Sequence, residues 1–199
     1  MNPAKDPLHF VFPHKRLNKS LRVLIASNTA LTFVIGLFAP FYAIYIQKLG
    51  GGIAFAGLSW AIFGIVTGVL TIAFSYWGLK VKEPELLIAL GYFIRGLSFF
   101  SYAFMGSMAQ LVLTQVLWGI GAAIGTPAFD SVYAAHTEGE QSMLQWASWE
   151  GFSSIAAGLA AIGGGLLIES FGYQTVFLIM GIVMVLLSLY IWRLPREVL

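Results

Sequence analysis

Cysteine is absent from this chain, which excludes disulfides and thiolate metal sites. Histidine is nearly absent: His9, His14 and His136 all fall in a polar tail or a loop. A histidine base beside a membrane serine, which a rhomboid-like protease needs, therefore has no candidate. No HExxH and no paired-aspartate motif stands anywhere, so metalloprotease and aspartyl protease chemistry lack their residues too. The chain is expected to be no enzyme, to hold no metal and to need no cofactor. Charge is sparse, with Asp, Glu, Lys and Arg at 10% of residues against roughly a quarter in a soluble domain. The net charge of +2 sits in loops and makes no nucleic-acid surface. The first twenty residues, MNPAKDPLHFVFPHKRLNKS, lack the apolar core of a cleavable signal peptide. Alternation of period two is missing as well, which argues against a β-barrel.

What is present is apolar surface. The chain is 58% hydrophobic, with mean hydropathy +0.82 over 199 residues. No soluble fold of that size hides so much, and the solvent must be a lipid bilayer. A polar cytoplasmic tail, residues 1–20, precedes a bundle over residues 21–199. Within the bundle six blocks are long enough to span: 21–46, 53–79, 85–104, 108–135, 142–168 and 173–192. Short connections separate them: LGGG at 49–52, KVKEPE at 80–85, MGS at 105–107, HTEGEQ at 136–141 and ESFGY at 169–173. The expected fold class is an all-α integral membrane protein with six transmembrane helices.

Lysine and arginine in the short loops set the direction. With residue 1 in the cytoplasm, that side holds Lys5, Lys15, Arg16, Lys19, Arg22, Lys80, Lys82, Arg193 and Arg196, and the far side only Lys48. Both termini are therefore expected to be cytoplasmic, in a cell (inner) membrane. The first and fourth blocks each carry a late proline near a glycine: Gly36 with Pro40, and Gly125 with Pro127. The two blocks run in opposite senses, so these prolines lie near opposite faces. That is the pattern of a 3+3 inverted repeat, and Gly/Pro-interrupted helices in matching positions point to a transport site. A kink made for packing is the plainer reading of each.

Three stretches point to one family. QVLWGIGAAIGTPA (115–128) resembles its fourth-helix signature, GLAAIGGGLLIESFGYQTVF (158–177) its fifth-to-sixth helix passage, and GLFAPFYAIYIQKLGG (36–51) the end of its first helix. The chain is thereby similar to the N-terminal six-helix half of a major facilitator superfamily transporter. The departures are specific. SYWGLK puts Ser75 and Tyr76 where the family has Asp and Arg, and Gln115 stands at the fourth-helix arginine. Ala160 and Ala161 precede Gly164 and Gly165 where many exporters have Gly-Pro. The family's gating and proton-coupling devices are therefore not carried over. Its members normally have twelve spans, twice the number here.

In the resembled family the first and fourth helices line the cavity. That makes Asn28 and Gln115 candidate cavity residues, with Phe33, Tyr42, Trp118 and Phe129 as an aromatic lining. Such a lining, with few charges, suits a small hydrophobic or amphipathic solute. The family's second and fifth helices meet the other half of the transporter. In the fifth block Gly151, Gly158 and Gly165 recur every seven residues, and in the fourth Gly119, Gly121 and Gly125 stand close together. Small residues let membrane helices approach closely. The resemblance thus implies a homodimer, two copies building twelve helices about a twofold axis. Packing within one subunit is the plainer use of the same glycines, and the two are compatible.

Arg95, Asp130 and Glu150 fall inside spans, where each costs about 2.5–3.5 kcal/mol near a helix centre. An ion pair of Arg95 with Glu150 or Asp130 is expected as a brace. The remaining acid, Glu150 ahead of Asp130, is the candidate for proton coupling. The alternatives are a split or truncated half that needs a different six-helix partner, or a membrane scaffold without transport. The ending WRLPREVL reads as a cytoplasmic stop, and would read the same at the centre of a twelve-span chain.

Overall fold

A computed structural model of the chain describes residues 17–78, 80–195 and 198–199. Residues 1–16 of the expected tail, with His9 and His14, lie outside the described residues, as does Arg196. The elements run α1 (Lys19–Gly36), a 3-10 turn (Ala39–Phe41), α2 (Tyr42–Lys48), α3 (Ile53–Gly78), α4 (Pro84–Phe104), α5 (Met108–Ala135), a second 3-10 turn (Gly139–Gln141) and α6 (Ser142–Arg193). Among the described residues there is no strand. Five stretches are long and apolar enough to cross a bilayer, with α1, its turn and α2 counting as one, Lys19–Lys48.

Local chemistry explains the helix ends. Asn18 accepts the Leu21 amide at 2.9 Å, and its Nδ2 donates to the His136 carbonyl at 3.0 Å. One side chain thus caps α1 and ties it to the end of α5. Ser107 caps α5 from the Gln110 amide at 3.3 Å, and Pro84 opens α4, where its missing N–H costs nothing. Pro40 sits exposed in the turn that separates α1 from α2. The break there throws Phe38 into the core, against Phe177 at 4.6 Å and Tyr102 at 5.5 Å between ring centroids. Tyr102 in turn stacks on Phe177 at 5.0 Å. Edge-on and stacked rings supply dispersion where lipid leaves no hydrophobic drive between helices.

The expected fifth and sixth blocks are joined into one helical element of 52 residues. A straight helix of that length would measure about 78 Å, more than twice the hydrocarbon core. It is not straight. Gly172 breaks it with φ 79° and ψ 168°, backbone that only glycine adopts without strain. The packing on either side runs in opposite senses. Before the break Trp149 meets Asn28, Ala160 meets Gly36 and Gly165 meets Phe41, so this part runs parallel to α1. After the break Phe177 meets Tyr102, Gly181 meets Phe100 and Ser188 Oγ donates to the Ala89 carbonyl at 2.7 Å. This part is antiparallel to α4. Tyr45 of α2 donates to the Tyr102 carbonyl at 3.0 Å, so α1–α2 and α4 end together, and the chain reverses at Gly172.

Glycine makes the tightest crossings. A Cβ on Gly91 would come within 2.5 Å of the Gly125 Cα, one on Gly36 within 2.9 Å of the Ala160 Cβ, and one on Gly164 would overlap the Leu37 carbonyl. α3 is the exception to this close packing. Its buried residues are Ala56 and Ser59 alone, and it touches the bundle along one side, through α2 and α5.

Candidate functional site

Two polar layers lie in the bundle, the first in its interior and the second reaching the surface at Thr126. The first joins α2, α3 and α5. Gln115, fully buried, donates from Nε2 to the Tyr42 hydroxyl. Tyr42 lies 2.6 Å from Ser59 Oγ, and Ser59 donates to the Ala56 carbonyl at 3.0 Å. With the serine hydrogen committed there, Tyr42 must donate to Ser59, and the chain of donors runs one way from α5 to α3. Gln115 Oε1 is left buried without a partner, an acceptor in an otherwise completed network. Around it Trp60 stands edge-on to Tyr42 at 5.5 Å and to Trp118 at 5.9 Å, and Phe63 stacks on Trp118 at 4.5 Å.

The second layer joins α1, α4, α5 and α6. Trp149 Nε1 donates to Asn28 Oδ1 at 2.9 Å. Its ring lies against Phe129 at 5.1 Å and Tyr133 at 5.2 Å. Arg95 is 5% exposed and donates from Nη2 to Thr126 Oγ1 at 2.7 Å, while its Nε has no partner. The Tyr92 hydroxyl, one turn earlier on α4, is also buried without a partner.

Measured against the sequence, the candidates divide. Asn28, Tyr42 and Gln115 enter the polar layers, and Phe33 is 40% exposed on α1. Trp118 and Phe129 fill the bundle among other rings instead of lining open space, at 4% and 2% exposure. The expected Arg95 ion pair is replaced by the Thr126 hydrogen bond. The reasons differ: Glu150 faces outward on α6, whereas Asp130, half-buried, shares the face of Thr126 but lies one turn further along α5. Gly119 packs on Val66 of α3, Gly125 on Gly91 and Gly36 on Ala157 and Ala160, so these glycines serve contacts within the chain. Gly165 meets the Phe41 ring. Gly151 and Gly158 have nothing within 4 Å and remain open, as do Gly57, Gly64 and Gly68 of α3. Pro127 lies inside α5 without ending it. Sequence reasoning missed Ser59, Tyr92, Thr126 and the polar role of Trp149. Tyr92 stands one helical turn from Arg95, a signal that was available, whereas Thr126 announces nothing.

The model of the Major Facilitator Superfamily matches residues 24–198. The chain belongs to the major facilitator superfamily. Membership extends from just inside α1 of this facilitator chain to its last residues. Among similar proteins, the methyl viologen resistance protein SmvA of Salmonella typhimurium is 30% identical over 138 residues, covering 68% of the chain and 28% of that protein. An uncharacterized MFS-type transporter of Methanocaldococcus jannaschii is 23% identical over 174 residues, covering 87% of the chain and 45% of that protein. The chain spans less than half the length of either. The family and the apolar helices make this a multi-pass membrane protein.

Proposed function

We propose that the chain is a half-size facilitator: two copies pair about a twofold axis, and the pair moves a small hydrophobic or amphipathic solute by alternating access. In this reading each copy crosses the membrane six times, as a 3+3 inverted repeat, with the reversal at Gly172 dividing the fifth and sixth crossings and both termini on the basic, cytoplasmic side of the inner membrane. The observation that carries it is the bareness of α3, a membrane-length helix with 11% of its apolar window buried. Its open face carries Gly57, Gly64 and Gly68, and α6 carries Gly151 and Gly158 equally open. Small open residues admit a second bundle at short range.

The solute cavity then lies on the twofold axis, where Phe33 is exposed and Asn28 is half-buried. Gln115, fully buried within one copy, does not open on that cavity and serves as a polar tie between α5 and α2. Glu150, exposed on α6, is the coupling candidate and Asp130 the second. The name of the Salmonella relative makes methyl viologen, an aromatic dication, a charged solute to try beside neutral hydrophobic ones. The chain lacks cysteine, so a single Gly158→Cys reports cleanly on pairing. Maleimide cross-linking in liposomes should trap a species of two 21.7 kDa copies, while Leu90→Cys on α4 should not. Strictly monomeric chain with no solute flux would defeat the proposal. Capture of a different six-helix chain at residue 158 would instead favour the split-half reading, which the short coverage of both relatives supports.

A further inference from the structure

Away from both polar layers, a cavity of about 360 Å³ lies between the end of α3, the start of α4 and the second half of α5. That volume is in the range of small-molecule sites. Its chemistry is unusual for a lipid-facing crevice. Phe74 and Trp77 supply aromatic walls, and Thr71, Ser75 and Ser131 supply hydroxyls. Ser75 gives its hydrogen to the Ile72 carbonyl at 2.7 Å, so toward the cavity it can only accept. Pro127 and Ala123 both line the space. Proline has no amide hydrogen, and the carbonyl four residues earlier, that of Ala123, is therefore denied its helical donor. Freed backbone groups of a membrane helix are re-satisfied by a neighbour, by water or by a ligand.

The wall thus offers acceptors at Ser75 and at the Ala123 carbonyl, hydroxyls at Thr71 and Ser131 that can give or receive a hydrogen, and aromatic rings. Among the described residues no acidic or basic side chain lines it, so against this lining a charged ligand would lose its hydration without an opposite charge in return. We propose that this cavity is a binding site for a neutral aromatic amphiphile bearing one hydroxyl donor, a phenol with an apolar tail. Its ring lies against Phe74 and Trp77 and its hydroxyl donates to the Ala123 carbonyl. Such a molecule bridges α3 to α5 at Pro127. Thr71 and Ser75 continue the α3 stripe of Gly57, Gly64 and Gly68, but the site needs no solute movement, and its test reads ligand binding and not pairing or transport.

The test uses the full chain in lipid nanodiscs near pH 6, where the probe 2-bromo-4-hexylphenol is neutral, with its methyl ether as the donor-less control. Bromine quenches nearby tryptophan. The phenol should quench saturably, the effect should shrink in Trp77→Phe, and the phenol should bind about fivefold to tenfold more tightly than the ether, the worth of one net hydrogen bond. Pro127→Ala restores an amide donor to the Ala123 carbonyl. It should leave quenching in place and bring phenol and ether within about twofold of each other, since the bond that separates them is gone. Quenching that rises without saturation, as for plain bilayer partition, overturns the proposal. So does equal binding of phenol and ether to the unsubstituted protein, a result that needs no variant to fold. Discrimination that survives in Pro127→Ala overturns the role of the carbonyl and with it the site.

Discussion

At the scale of single residues, Arg95 is the most demanding group. A guanidinium at 5% exposure, held by one hydroxyl, has little compensation for its lost hydration. Thr126→Val should therefore lower unfolding free energy by about 1.5–3 kcal/mol, the range for a hydrogen bond to a charged group, as measured by denaturant titration in bicelles. Arg95→Met, which removes the charge as well, should cost less than Thr126→Val, because a buried charge left alone is worse than none. Gln115 makes the opposite case. It is neutral, and its single bond to Tyr42 joins two helices. Gln115→Leu should cost about 0.6–2 kcal/mol, since membrane hydrogen bonds are individually weak. The arginine and both acids were legible as exceptions in an apolar chain. Their partners were not, because a partner depends on how each helix is rotated, and helices that are apolar on every side do not encode rotation in their pattern.

Among the elements, the glycines separate into those already used and those still open. Gly164→Ala drives a methyl into the Leu37 backbone and should destabilise by about 1–3 kcal/mol, the usual cost of overpacking. Gly158→Ala meets nothing within 4 Å and should change the stability of one subunit by less than about 0.5 kcal/mol. Both values come from the same denaturant titration. If the pairing proposed for this face is correct, Gly158→Ala should also lower the dimer fraction read by native mass spectrometry of the cysteine-free chain. The heptad at residues 151, 158 and 165 looked uniform as a sequence, yet its third member meets Phe41. The reversal at Gly172 is a second element-scale feature. A side chain at φ 79° is strained by about 1–3 kcal/mol, and Gly172→Ala should lower the thermal midpoint in detergent accordingly.

For the whole molecule, direction is the testable quantity. Lys80 follows α3, and Lys48 ends α2 beneath the Tyr173 ring, 4.7 Å from its centroid. In the proposed orientation α3 crosses the bilayer between these two ends, with the basic Lys80 end on the cytoplasmic side. Single cysteines at Lys80 and at Gln47 should therefore label from opposite faces of oriented vesicles with an impermeant maleimide, Lys80→Cys from the cytoplasmic face. Labelling of both from one face would contradict the proposed orientation.

Residence in the membrane, the helical class, the position of nearly every turn and the facilitator resemblance were determined by the sequence alone. In lipid each helix closes its own backbone hydrogen bonds, so length and apolar content are local properties that can be read along the chain. Only the tertiary structure decided which hydroxyl receives Arg95, which glycines are already occupied, that Trp118 and Phe129 are packing residues, and how α6 folds back at Gly172. Those outcomes follow from helix rotation and crossing. A solvent as apolar as the protein interior leaves no mark of rotation or crossing on the sequence.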